Sequence, residues 1–285
     1  MGDYDNAMVY FEQALATKSE RGDGSIGTTY IGMGDVLVTQ EGREKEAILM
    51  FQKSVGLFEE DNTSEERRRV FFRLGKAYTK IGAWDDAIVA LEKIISIAES
   101  IEDEDERLGN QLKAEANEFL GKVYLEKYES LPERDDELIR KALFLSEAAL
   151  MLQQAKGGVT LALYLDLAQE HYFLGGTEKA HRMLKGYLDA AVRLGASYCQ
   201  TCYETCAKDA VMAKCSVCKV ARYCSRAHSI QAWAKGRLCH KVMCPFLKRW
   251  RKIKEGKDTT RSTNELCDEL VDDFFERVLA SNRPF

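Results

Sequence analysis

Residues 72–94, FRLGKAYTKIGAWDDAIVALEKI, carry a two-helix pattern that returns along the first two thirds of the chain. Leu74, Gly75 and Tyr78 fall on one helical face, Gly82 interrupts it, and Trp84, Ala87, Leu91 and Ile94 resume at spacings of three and four. The skeleton recurs as MGDVLVTQEGREKEAILMFQKS, through Met33, Gly34, Leu37, Gly42, Ala47 and Phe51. It recurs again as DLAQEHYFLGGTEKAHRMLKGY, through Leu167, Ala168, His171, Gly175, Ala180 and Leu184. FLGKVYLEKY begins a further copy with Leu120, Gly121 and Tyr124; the acidic insertion ESLPERDDE delays its second helix to Ala142, Ser146 and Ala149. Small residues (Gly34, Gly75, Gly121, Ala168, then Ala47, Ala87, Ala180) suit close helix crossings, and Tyr78, Trp84 and Leu91 fill the gaps. One such pair cannot bury its own apolar face, so the pairs must stack.

This skeleton resembles the tetratricopeptide repeat, closely near 29–56, 68–97 and 160–190 and more loosely near 112–154. The interval from Ala47 to Ala87 is 40 residues, longer than the family's repeat of about 34, which predicts longer helices or loops. At the N-terminus Gly2, Tyr4, Ala7, Phe11 and Ala14 match only the second half of a repeat. Two expectations follow: a fragment of a longer protein, which the pattern favours, or a lone first helix with an exposed apolar flank. The resemblance implies protein or peptide binding in a groove lined by the first helix of each pair. Repeat phase then points to Arg69, Phe72, Lys76, Lys122, Gln169 and Tyr172 as groove residues. The Lys/Asn clamp of chaperone-tail binders is not matched, since only Asn117 lies in a first helix.

Charge divides the chain. Residues 1–198 hold 24 Lys+Arg against 36 Asp+Glu, a balance of −12; residues 199–285 hold 17 against 10, a balance of +7, for a total of −5. The sign changes where the cysteines begin, which predicts a domain boundary there. The acidic N-terminus MGDYDNAMVYF lacks the apolar core of a signal peptide. No apolar run approaches the roughly 18 residues of a membrane helix. The expectation is a soluble intracellular protein, cytoplasmic or nuclear, with no membrane partner. In a reducing compartment clustered cysteines favour metal or redox chemistry over disulfides.

Seven of the nine cysteines lie between Cys199 and Cys239. The Cys and His residues come in pairs: Cys199/Cys202 and Cys215/Cys218 are two residues apart, Cys224/His228 and His240/Cys244 three apart. A C-x-x-C turn can aim two thiolates at one ion, and an i, i+4 pair projects from one face of a helix. Eight ligands suit two closed four-coordinate sites and leave no open position for catalysis. A segment under about 50 residues with few large aliphatics has too little core to fold alone, and metal binding supplies about 10 kcal/mol or more per ion. A disulfide scaffold fits less well because histidines complete the spacing, and a redox reading lacks a βαβ setting. Spacing alone leaves open which pairs share an ion.

The string C-x2-C-x12-C-x2-C-x4-Y-C-x3-H-x4-W-x6-H-x3-C, residues 199–244, resembles the MYND-type zinc finger. The resemblance implies two structural Zn(2+) per chain in an interleaved arrangement: Cys199, Cys202, Cys224 and His228 on one, Cys215, Cys218, His240 and Cys244 on the other. His228 stands where the family usually has Cys, and Ser229 where it usually has Gln; Cys206 and Cys239 are the substitutes should His228 not ligate. The family's recognition of short, proline-containing peptides implies Tyr223, Ser225 and Trp233 as contacts.

From Lys235 to Arg261 the chain is basic, with KRWRKIK at 248–254. Three readings stand: a solvated helix, a nuclear-localisation or nucleic-acid patch, or docking on the acidic repeats. STNE at 262–265 is a capping box opening a helix with the stripe Leu266, Leu270, Val271, Phe274, Val278, which should be buried. The predicted protein is therefore all-α: tetratricopeptide-like repeats over 1–195, a MYND-type finger over 199–244, and a basic segment with an amphipathic helix over 245–285. Its predicted role is a non-enzymatic adaptor binding proteins or peptides, with the oligomeric state open. The alternatives are a piece of a MYND-containing lysine methyltransferase, for which no S-adenosylmethionine-binding or SET motif is present in this stretch, and a nucleic-acid-associated regulator acting through the basic part.

Overall fold

The structure, a computed structural model, describes residues 2–21, 26–40, 42–58, 65–102, 105–155, 161–194, 213–223, 240–257 and 261–280. They fall in two compact units, Met1–Gly158 and Val159–Phe285. The described residues are almost wholly helical, with one antiparallel ladder two residues long. No helix among them is long and apolar enough to cross a membrane.

The first unit runs α1 (Gly2–Arg21), α2 (Ile26–Val38), α3 (Glu44–Val55), α4 (Glu65–Lys80), α5 (Trp84–Glu102), α6 (Glu106–Ser130) and α7 (Asp136–Ala155). Each helix packs on the next, and α2 also touches α4. Two layers result: α2, α4 and α6 in one, α1, α3, α5 and α7 in the other. Side chains tie the first layer together. Asp35 of α2 pairs with Arg69, at 3.6 Å, and with Arg73 of α4, while the Lys76 ammonium of α4 lies over the Phe119 ring of α6, 5.7 Å from its centroid.

The small residues do what their spacing predicts. A Cβ on Gly34 would come within 2.4 Å of the Phe51 ring; on Gly75, within 2.9 Å of Leu91; on Gly121, within 2.4 Å of the Ser146 hydroxyl. Each first helix thus offers bare backbone to one residue of the second. Ala47, Ala87 and Ala142 are fully buried at the corresponding crossings. Gly42 and Gly82 reverse the chain between paired helices with φ of 86° and 73°, a left-handed conformation that disfavours a side chain. The α6–α7 pair lacks such a glycine, and residues 131–135 connect its helices. In α1 the apolar flank is exposed: Tyr4 is 46% and Tyr10 72% accessible.

The second unit holds α8 (Leu161–Phe173), α9 (Thr177–Leu194), β1 (Ala213–Lys214), β2 (Arg222–Tyr223), α10 (His240–Lys254), α11 (Thr263–Phe274) and a π-helical turn, Phe275–Ala280. One core joins Leu184, Leu188 and Ala191 of α9, Leu247, Trp250 and Ile253 of α10, and Leu266, Leu270, Val271 and Phe274 of α11. The capping box at Ser262 and Glu265 forms in both directions. The predicted stripe is buried as far as Phe274; the Val278 side chain lies outside the described residues.

Two sequence-based boundaries differ from the packing. The last repeat-like pair, α8–α9, belongs to the C-terminal unit, because the stripe that would meet a further repeat meets α10 and α11 instead. The boundary expected between 244 and 245 falls inside α10, a single helix that holds a ligand pair at one end and the basic run at the other. That run docks. Lys254 pairs with Asp189 of α9 at 3.0 Å, the indole N–H of Trp250 donates to the same carboxylate at 3.0 Å, and Arg249 pairs with Glu269 of α11 at 3.5 Å. These contacts dock part of the basic run on α9 through Asp189 and on α11 through Glu269.

Candidate metal centre

The chain between β1 and β2 turns back through Cys215–Lys219. The Cys215 amide donates to the Ala221 carbonyl at 2.9 Å, and the Lys219 amide to the Cys215 carbonyl at 3.1 Å. Closing the turn puts Lys219 at φ 61°, among the described residues the single non-glycine with positive φ. The payoff is at the sulfur: the amides of Val220 and Ala221 both donate to Cys218 Sγ, at 3.4 and 3.5 Å. Amides aimed at a sulfur favour the thiolate, which is the ligating form.

Helix α10 brings the other pair. His240 is its first residue, and Cys244 follows one turn later on the same face. The ligand atoms of Cys215, Cys218, His240 and Cys244 all lie within 4.8 Å of one another. Cys215 Sγ is 3.7 Å from Cys244 Sγ, and Cys218 Sγ is 3.6 Å from His240 Nε2. A tetrahedral zinc with its usual bond lengths has S–S edges of about 3.8 Å and S–N edges of about 3.6 Å. The cluster therefore has the donors and the spacing to hold one metal ion.

Burial sets the protonation of its donors. Burial, then the charge of Cys218, pushes the Cys244 thiol up to about 12. Burial and the neighbouring Cys215 also raise Cys218, although two amides oppose them. At Cys215 burial works upward but the amides of Cys218 and Val217 prevail, and its thiol is lowered. Burial alone lowers His240 to about 4, keeping the imidazole neutral and able to donate a lone pair. Three thiols cannot ionise together in such a place unless a divalent ion offsets their charge.

The Tyr223 ring stands edge-on to His240, centroids 5.9 Å apart, and only 3% of the residue is accessible. Tyr223 thus packs against His240, where it can support the imidazole. Cys199, Cys202, Cys224, His228, Ser225 and Trp233 lie outside the described residues. The sequence carried no sign of the Lys219 conformation or of the two amide donors, since both belong to backbone that spacing does not reveal.

The predicted groove residues divide. Arg69, Lys76 and Lys122 are exposed and Phe72 is half-buried, all in the first-helix layer of the first unit. Burial and then the charges of Arg73 and Lys122 lower the Lys76 ammonium, and burial raises the Glu126 carboxyl that Lys122 approaches at 3.9 Å. These positions form a cationic strip partly balanced by Asp35 and Glu126. In the second unit Gln169 is buried, at 6% accessibility, and Tyr172 stacks on Phe275 at 5.0 Å. The C-terminal turn thus covers Tyr172, and neither residue presents the open surface expected of it.

Residues 1–20 match the tetratricopeptide repeat family. No curated protein matches the sequence. Among solved structures, the nearly identical TPR-like repeats of a Podosopora anserina protein named as a kinesin light chain align with a TM-score of 0.50 at 17% identity, over 69% of this chain and 90% of that one. The fold is a tetratricopeptide-like helical solenoid. MamA aligns more loosely, with a TM-score of 0.44 at 19% identity over 66% of this chain and 94% of its own. So do residues 1–338 of Acl4, the assembly chaperone of RpL4, with 0.45 at 14% identity over 96% and 98%.

Proposed function

We propose that this protein is a non-enzymatic adaptor that binds other proteins, with tetratricopeptide-like repeats as one docking surface and a two-zinc, MYND-type finger as the other. The observation that carries the reading is the cluster of four protein donors, Cys215, Cys218, His240 and Cys244, with edges of 3.7 and 3.6 Å. A site with four protein ligands is structural, and its zinc would supply folding energy to a segment with little core of its own. The second zinc is assigned to Cys199, Cys202, Cys224 and His228, the set that the MYND resemblance implies. The repeats offer Arg69, Phe72, Lys76 and Lys122 to a partner, and the finger offers Ser225 and Trp233 to a proline-containing peptide.

Native mass spectrometry of the full chain tests the metal half: two zincs are expected, one after His228→Ala, and fewer than two in the unaltered chain overturns the assignment. Binding to a library of proline-containing peptides tests the other half. Binding lost on chelation and restored by zinc supports the finger as the reader; binding indifferent to zinc refutes it.

A further inference from the structure

Helices α1, α3, α5 and α7 share a feature that packing within the unit does not use. Two residues after the inward-facing alanines Ala7, Ala47, Ala87 and Ala142 stand Val9, Leu49, Val89 and Phe144. Two residues are about 200° of helical turn, so these side chains point away from the core. They are 49%, 54%, 57% and 72% accessible. Single exposed apolar residues are ordinary, but four at one repeat phase form a stripe across a whole layer. In α9 the same phase holds Arg182. At the α7 end of the stripe lies a cavity of about 380 Å³ between α5 and α7, floored by α6 and lined by Ile95, Leu120, Tyr124, Leu145 and the edge of Phe144. Glu92 stands on its α5 bank and Arg140 on its α7 bank.

We propose that this face binds a second copy of the chain, each Phe144 entering the α5–α7 cavity of the other. The face is self-complementary. An exposed aromatic knob sits beside an apolar hole, so a two-fold rotation between them sets each knob over the opposite hole. The same rotation brings Arg140 to the partner's Glu92, and Glu92 to the partner's Arg140. Neither residue is held in an ion pair among the described residues. Helices α5 and α7, about 10 Å apart and about 30 Å long, offer roughly 600 Å² per copy, the size of a small, reversible interface. The proposal does not depend on the metal centre.

Sedimentation velocity of the full, zinc-loaded chain tests it. The expected result is a concentration-dependent dimer that Phe144→Asp renders monomeric without changing the circular dichroism spectrum or the melting temperature. Glu92→Arg and Arg140→Glu are each expected to weaken the dimer about tenfold or more, and the double swap to restore it, since the pair is then merely reversed. A wild-type chain that stays monomeric from nanomolar to high micromolar concentration overturns the proposal. So does a dimer that survives Phe144→Asp, or one that the double swap fails to recover.

Discussion

Gly34→Ala is a sharp test of how the helix pairs interlock. In an exposed helix this change would stabilise, by about 1 kcal/mol of propensity. Here the new methyl would lie 2.4 Å from Phe51 Cε1 and 2.7 Å from Cδ1, more than 1 Å inside the ordinary carbon–carbon contact of about 3.5–4.0 Å. Phe51 has no accessible surface, so its ring has nowhere to swing and the two helices must separate. Overpacking of this kind costs about 1–3 kcal/mol, at the upper end for so short an approach. The net expectation is a loss of about 1–2 kcal/mol, or roughly 2–8 °C in the melting temperature of a unit this size. Gly56→Ala is the control: its φ is −65°, the nearest atoms to a Cβ are 3.7 Å away, and a gain of about 0.4–1 kcal/mol is expected. Thermal unfolding followed by circular dichroism reads both. If Gly34→Ala melts at or above the wild-type temperature, the close crossing at Phe51 is not a constraint and the account of the repeat glycines fails. Partial rescue by Phe51→Leu in the Gly34→Ala background would confirm that the ring is the obstacle.

Lys219→Gly should stabilise the zinc-loaded finger by about 1 kcal/mol, because the turn already holds this residue in the left-handed region; slower zinc transfer to a competing chelator is the readout. Ser262→Ala should cost about 1 kcal/mol through the lost cap, measured by urea unfolding, with Ser262→Asp retaining most of it. Acid should release the metal by protonating the thiolates. Burial lowers the His240 imidazole to about 4, so the proton does not compete there until the pH nears that value, and His240→Cys should release zinc at higher pH than wild type. A chromophoric zinc indicator follows both proteins; equal release profiles would refute the reasoning.

Much of this was legible in the residues. Gly34, Gly75 and Gly121 meet Phe51, Leu91 and Ser146 because a repeating small–large pattern has one compact solution, and Gly42 and Gly82 turn the chain where periodicity breaks. The ligand pair on α10 was legible as spacing, and its partnership with Cys215 and Cys218 through family resemblance. The destination of α9 was not. Its stripe of Leu184, Leu188 and Ala191 would suit another repeat equally well, and only tertiary packing decides that it meets Trp250 and Leu270. The contact of Tyr223 with His240 was likewise not legible, since an aromatic beside a ligand pair reads equally as contact surface or as support.

Helix α10 begins in the metal cage at His240 and ends bolted to Asp189 through Trp250 and Lys254. Trp250 stands ten positions after His240, about 15 Å along the helix, with Pro245 between them. One continuous helix thus carries two of the four clustered donors at one end and the contacts to α9 at the other. The cluster and the last repeat pair share an element instead of meeting across a linker.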